Sequence, residues 1–358
     1  MTTPFIEIPS LYSYSFSSPQ VCLGEKMPSA SEKSGGSLRR GLGRRTWLAI
    51  GLLLAALHLV PWFVPSVLHI MIMIFLFAVM GQGWNILGGY AGQFSFGHSL
   101  FFGLGAYIST LLYVKLGLSP WIGLGFSCAG GIMLGLFIGA LSFRYGLKGP
   151  FFALIMLAFA EIFHMVAMGW NAVGGALGLL IPLKGNSPGV MQFLDKEPFY
   201  FITLWMMVGS LYVVWRLEGT RTGLYFLATR EDHDAAEALG VNTFRAQMTA
   251  MAMSSGMTAM GGTIYAQYLL YIDPDSTFGV VNSVEIMLRP IIGGPGTILG
   301  PLLGSVLLTP LSEVTRLAFQ SYSGVYLMIY GLILVAVIMF LPDGMIGFAK
   351  KAILRVGR

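Results

Sequence analysis

The chain has 358 residues, 55% of them hydrophobic and 10% charged, and a formal net charge of +5. Globular domains carry about 25% charged residues, so this balance excludes an ordinary soluble protein. Cys22 and Cys128 give neither a disulfide framework nor a metal-ligand spacing, and the aromatics lie inside apolar runs rather than among exposed basic residues, which excludes a nucleic-acid surface.

Residues 1–45 differ in kind from the rest. They are Ser-rich, with Pro and Gly, and end in the basic run Arg39, Arg40, Arg44 and Arg45. No apolar segment separates a basic start from a small-residue cleavage site, so a secretory signal is not expected. The composition predicts a disordered cytoplasmic tail, or an upstream extension of a chain that starts at Met27.

Apolar stretches of about 20 residues follow, each long enough to cross a hydrocarbon core of about 30 Å. They run from Trp47 to Val64, Val67 to Leu87, Gly92 to Val114, Trp121 to Phe143 and Pro150 to Trp170. After a Gly- and Pro-rich loop at 171–198 comes Phe199 to Leu217, then a charged island and Ala246 to Tyr271. A long apolar stretch at 283–318, broken at GGPGT, precedes a last span from Val325 to Leu341 and a basic end. The expected fold class is an all-α polytopic membrane protein.

Lys and Arg concentrate on the cytoplasmic side of membrane proteins. That rule places both termini, the loop with Arg144 and Lys148, and the island at 218–245 in the cytoplasm. The number of crossings is then even, and 283–318 crosses twice, giving about ten crossings, with eight and a re-entrant loop as the alternative. The first of those two is a short, broken crossing of about ten residues, shielded by other helices. The expected domains are the tail at 1–45, a transmembrane domain at 46–348 that includes the island, and a basic cytoplasmic tail at 349–358.

The island reads ATREDHDAAEALGVNTFRAQ over residues 228–247. Within it, EDHDAAEALG predicts a helix with acids in the first turn, where they meet the positive end of the helix dipole, and Gly240 as C-cap. Ala235, Ala236, Ala238 and Leu239 form one small apolar face. A short amphipathic helix facing the cytoplasm is a docking element; an ordinary solvated loop is the alternative.

The stretch TREDHDAAEALGVNTFRAQMTAMAMSSGMTAMGGTIYA resembles the ATPase-contacting loop of bacterial ABC importer permeases of the branched-chain amino acid class. GWNILGGYAGQFSFGHSLFFGLGAY at 83–107, LKGPFFALIMLAFAEIF at 147–163 and SVEIMLRPIIGGPGTILGPLLGS at 283–305 are similar to further motifs of that family, in the expected order. The chain thereby resembles the M-type (LivM-like) permease subunit over residues 67–348. Arg289 and Pro290 depart from the family, which carries aliphatics there. The resemblance implies a type II-like ABC importer fold with broken helices in the bacterial inner membrane. It implies as partners two ATP-binding subunits, a second homologous permease and a periplasmic substrate-binding protein, with no cofactor. It makes Ala235, Ala236, Glu237, Ala238, Leu239 and Gly240 the coupling residues, and branched-chain or other hydrophobic amino acids the cargo.

In the glycine-rich stretch, Gly88, Gly89, Gly92, Gly97, Gly103 and Gly105 permit either an unwound helix or close helix packing. Gln93, Ser95 and His98 would add hydrogen bonds along a substrate pathway, or serve packing alone. Glu161 and His164 share a face of the fifth span, with Glu161 expected to be hydrogen-bonded in the bundle interior or to face the pathway. Their Glu-x-x-His spacing lacks the second motif that a metal pair needs. Glu285 and Arg289, four apart, are expected to form an intrahelical ion pair. No phosphate loop and no nucleophile elbow occurs, so neither ATP hydrolysis nor enzymatic chemistry is expected of this chain. Two other readings stand beside the importer: the same machine carrying urea, short amides or a sugar, and a stand-alone ion-coupled transporter centred on Glu161.

Overall fold

In a computed structural model of the chain, the described residues are 44–147, 149–318, 328, 331–332, 335, 339 and 344–347. The tail expected at 1–45, Lys148, the last span from Val325 to Leu341 and the end at 349–358 lie wholly or largely outside them. Two units meet after Gly51; of the first, only helical backbone from Arg44 on is described, and the second holds the rest.

The helices are α1 (Arg44–Phe63), α2 (Leu68–Trp84), α3 (His98–Leu116), α4 (Pro120–Arg144), α5 (Pro150–Gly169) and α6 (Glu197–Glu218). They continue with α7 (Arg221–Glu231), α8 (His233–Ala238), α9 (Thr243–Leu269), α10 (Pro274–Phe278), α11 (Val280–Gly293) and α12 (Gly300–Ala318). Prolines at the first turns of α4, α5 and α6 suit positions whose N–H has no intrahelical partner. The loop after α5 is not wholly irregular, because β1 (Leu179–Leu180) pairs antiparallel with β2 (Tyr271–Ile272).

Among the described residues, five helical segments are long and apolar enough to cross a membrane: Pro65–Tyr90, α3, α4, α5 and α6. With this composition the chain is a multi-pass helical membrane protein. The 27-residue α9 is built instead from Ala, Gly, Ser, Thr and Met. It lies inside the bundle against α2, α3 and α4, where no lipid-facing apolar surface is required. Small residues let backbones approach within a membrane, where tails and side chains are equally apolar. A Cβ on Gly105 would meet the Ala259 backbone, and one on Gly262 the Phe102 carbonyl. Ser127 and Thr263 hydroxyls both donate to the Gly105 carbonyl, at 2.9 and 3.2 Å, tying α4 and α9 to α3.

The break expected at GGPGT is present between α11 and α12, over 294–299. The first helix is longer than expected, because it begins at Val280 directly after Gly279; its 14 residues still reach only about 21 Å at 1.5 Å per residue, short of a bilayer core. Glu285 and Arg289 pair within it, Nη2 to Oε2 at 3.3 Å. Arg289 is 1% exposed and its guanidinium lies 3.7 Å from the centroid of the Phe77 ring on α2. The charge is thus kept from lipid by a carboxylate and an aromatic face.

Candidate functional site: a corner of the island and two helix breaks

The island is two helices, not one. Predicted as a single helix opened by acids, it divides at Asp232, whose backbone is extended and whose Oδ1 accepts from the N–H groups of Asp234 (2.9 Å) and Ala235 (3.0 Å). The carboxylate that was expected inside the first turn therefore caps α8. At the other end Gly240 adopts φ +83°, and the Gly240 and Val241 N–H groups donate to the Glu237 and Ala236 carbonyls at 2.9 and 3.0 Å. This is a Schellman ending, which needs a left-handed residue and so favours glycine. Asn242 then caps α9 by accepting from the Arg245 N–H at 2.9 Å. Glu237 accepts from the Thr243 hydroxyl at 2.5 Å, which fastens α8 to the start of α9.

Capping at both ends makes α8 a fixed corner although it has six residues. Its small apolar face is split. Ala236 is 3% exposed and points inward, whereas Ala235, Ala238, Gly240 and Leu239 face out, with Leu239 85% exposed. The six residues grouped by sequence thus play different parts: Ala236 anchors, Glu237 ties back, and Ala235, Ala238 and Leu239 form the exposed tip.

The glycine-rich stretch is a discontinuous helix. α2 loosens into a π-helical turn, Asn85–Tyr90, and residues 91–97 are unwound before α3 begins at His98. Buried backbone needs partners. The Gln93 N–H donates to the Leu87 carbonyl at 2.9 Å, and Trp84 Nε1 to the Ser95 carbonyl at 2.8 Å. His98 is fully buried, its two ring nitrogens 3.0 Å from Ser95 Oγ and 2.8 Å from Ser254 Oγ on α9. Ser95 and His98 are therefore committed to holding the break together. Gln93 is buried with its Oε1 unpartnered, so of the three it alone keeps a free acceptor. Of the glycines, Gly97 lies against the Met156 carbonyl and Gly103 against the Phe278 ring, positions where packing leaves no room for a Cβ.

The second break leans on the first. Asn85 Oδ1 accepts from the Gly296 N–H at 2.8 Å, and its Nδ2 donates to the Thr297 carbonyl at 2.9 Å. Gln82 Nε2 donates to the Ile298 carbonyl at 2.5 Å. From the island, Arg230 Nη1 donates to the Gly89 carbonyl at 2.6 Å, while its stem covers Gly92. Tyr90 donates to Glu218 Oε1 at 2.5 Å, which ties the π-helical turn to the end of α6. Sequence reasoning missed Asn85 and Arg230; the available signal was an Asn inside an otherwise apolar span.

Glu161 does not lie in the bundle interior. Its side chain is 42% exposed on α5, with His164 Nδ1 3.4 Å away. His164 Nε2 contacts Asp275 of α10 at 2.9 Å, so the polar cluster links α5 to α10 at the surface. Within a membrane span an acid is costly, and here His164 and Asp275 give the cluster its polar partners.

Residues 66–338 match the protein family described as branched-chain amino acid transport system / permease component. The high-affinity branched-chain amino acid transport system permease protein LivM of Escherichia coli (strain K12) is 25% identical over 298 residues, covering 77% of this chain and 68% of the relative. A probable branched-chain amino acid transport permease protein LivM from Methanocaldococcus jannaschii is 22% identical, covering 76% and 90%. The autoinducer 2 import system permease protein LsrC of Salmonella paratyphi B is 26% identical, covering 59% of this chain and 63% of the relative. No solved structure matches.

Proposed function

The chain belongs to the permease-component family of branched-chain amino acid transport systems, and we propose that it is one of two membrane subunits of an ATP-driven importer of branched-chain or other hydrophobic amino acids. It sits in the bacterial inner membrane with both termini cytoplasmic. Two ATP-binding subunits drive it, a second homologous permease pairs with it, and a periplasmic binding protein delivers the solute. The observation that carries this reading is the tip of α8: Ala235, Ala238 and Leu239 stand exposed on a helix locked at both ends. Leu239 and the two alanines together form a small apolar face on a corner fixed at both ends, which suits a cleft in a partner. Rigid transmission is what a motor acting on a membrane subunit requires.

Solute passes between the two permeases, beside the first helix break, where Gln93 offers an unpartnered acceptor. Ser95 and His98 hold that wall in place, and Glu161 lies at the outer part of the path. A second cargo reading, a small polar solute such as autoinducer 2, rests on the likeness to LsrC.

The test is co-expression with the candidate ATP-binding and permease subunits, purification on a tag carried by this chain, and uptake of radiolabelled leucine or autoinducer 2 into proteoliposomes. Co-purification of the ATP-binding subunit and ATP-dependent leucine uptake are expected. A folded chain that binds no such subunit and transports without ATP sinks the reading.

A further inference from the structure

Arg230 lies outside the exposed tip, yet it reaches both helix breaks. It is the penultimate residue of α7, whose own footing is firm: Phe226 is fully buried, and Gly223 lies against the Leu217 carbonyl of α6. Its stem rests on Gly92, where an added Cβ would come within 2.9 Å of Cγ. Its guanidinium donates to the Gly89 carbonyl at 2.6 Å. A Cβ built on Gly296, which has φ +69°, would stand 2.8 Å from Nη1. One side chain therefore abuts the end of the π-helical turn, the unwound segment and the second break.

The contacts are chemically apt. Carbonyls at the end of a helix lack intrahelical partners, and a cation there also meets the negative end of the helix dipole. The Gly89 carbonyl occupies that position. Asn85 completes the joint, because the same π-helical turn that Arg230 grips holds the Gly296 N–H and the Thr297 carbonyl. Only Asp232 separates α7 from α8, and its side chain caps α8, so a displacement of the tip reaches Arg230 over one residue.

We propose that Arg230 is a positioning residue that joins the docking corner to both helix breaks, so that they move as one body when the ATP-binding subunit pushes on α8. The proposal rests on the reading of α8 as the docking element. A guanidinium is suited to this place, since Nη1 donates to the Gly89 carbonyl and the same group fills the space beside Gly296; the smaller ammonium keeps the donation and fills less of that space.

The test uses the whole complex, with Cys22→Ser and Cys128→Ser and spin labels at Leu224→Cys on α7 and Leu299→Cys at the end of the second break. Both positions are exposed. The label-to-label distance is measured without nucleotide and with ATP trapped. With Arg230 present, the same distance is expected in both states. In Arg230→Ala the distance should differ between states, and transport per ATP hydrolysed should fall about tenfold, within the range of measured site-to-site couplings. Arg230→Lys should restore part of both. Asn85→Ala, which cuts the same joint from the other side, should give the same signature if Arg230→Ala does not assemble. A distance that shifts equally in parent and variant, or that stays fixed in both, overturns the proposal. A parent chain that brings down no ATP-binding subunit instead overturns the docking reading itself.

Discussion

The two breaks in the bundle hold their freed backbone groups in different ways. The segment 91–97 is nearly self-sufficient: Ile86, Leu87, Trp84, Ser95 and His98 supply its partners from within the same stretch, and among the described residues only Ser254 comes from elsewhere. The segment 294–299 borrows. Thr297 bridges the Gly294 carbonyl and the Gly300 N–H locally, but Asn85 and Gln82 of the first region supply the rest. The first break is thus self-braced and the second depends on it, so damage should travel from first to second and not in reverse.

The widest damage is expected from His98→Leu. It strands the Ser254 hydroxyl and removes the Ser95 contact in a site with no water access, at about 2–4 kcal/mol for two broken buried bonds. The unfolding midpoint in detergent should drop, and amide exchange should rise in both 91–97 and 294–299. A rise confined to 91–97 would show that the second break does not depend on the first.

Asn85→Ala should cost less, about 1–3 kcal/mol, because it frees one N–H and one carbonyl beside a helix end. Exchange should then rise at 294–299 while 91–97 stays protected. Thr297→Val is milder still, about 1 kcal/mol for the bridging hydroxyl, with its effect limited to the second break. Equal loosening of both breaks by either change would erase the asymmetry.

Gln93→Leu should barely touch stability, less than about 0.5 kcal/mol, since its acceptor has no protein partner to lose. If the path runs past it, leucine uptake falls severalfold while the unfolding midpoint holds. Unchanged uptake would return Gln93 to packing alone.

Much of this was legible in the sequence. Five of the apolar spans, the break at GGPGT and the Glu285–Arg289 pair follow from length, glycine and charge spacing, and unwinding of the glycine-rich stretch was one of its two readings. The positive φ of Gly240 matched its predicted place at a helix end. The rest depends on tertiary contacts that leave no local pattern. Arg230 reads as one more charge beside Glu231, because its partner is a main-chain carbonyl 141 residues away. Ala236 looked like its neighbours, and only the seat of α8 on the bundle separates the buried alanine from the exposed ones. Glu161 was placed inside by the cost of an acid in lipid, whereas the structure leaves it 42% exposed next to His164. His98 was open between pathway and packing in the sequence, and only the fold shows its two ring nitrogens held between Ser95 and Ser254.

The central claim, that the exposed tip of α8 is where a motor docks, is tested most directly by position-specific photocrosslinking in the intact complex. A photoreactive amino acid is placed in turn at Leu239, at Ala236 and at Phe137, an exposed position on α4. The account predicts an ATP-binding-subunit adduct from Leu239 and none from Ala236 or Phe137. No adduct from Leu239, or equal adducts from all three, would contradict it.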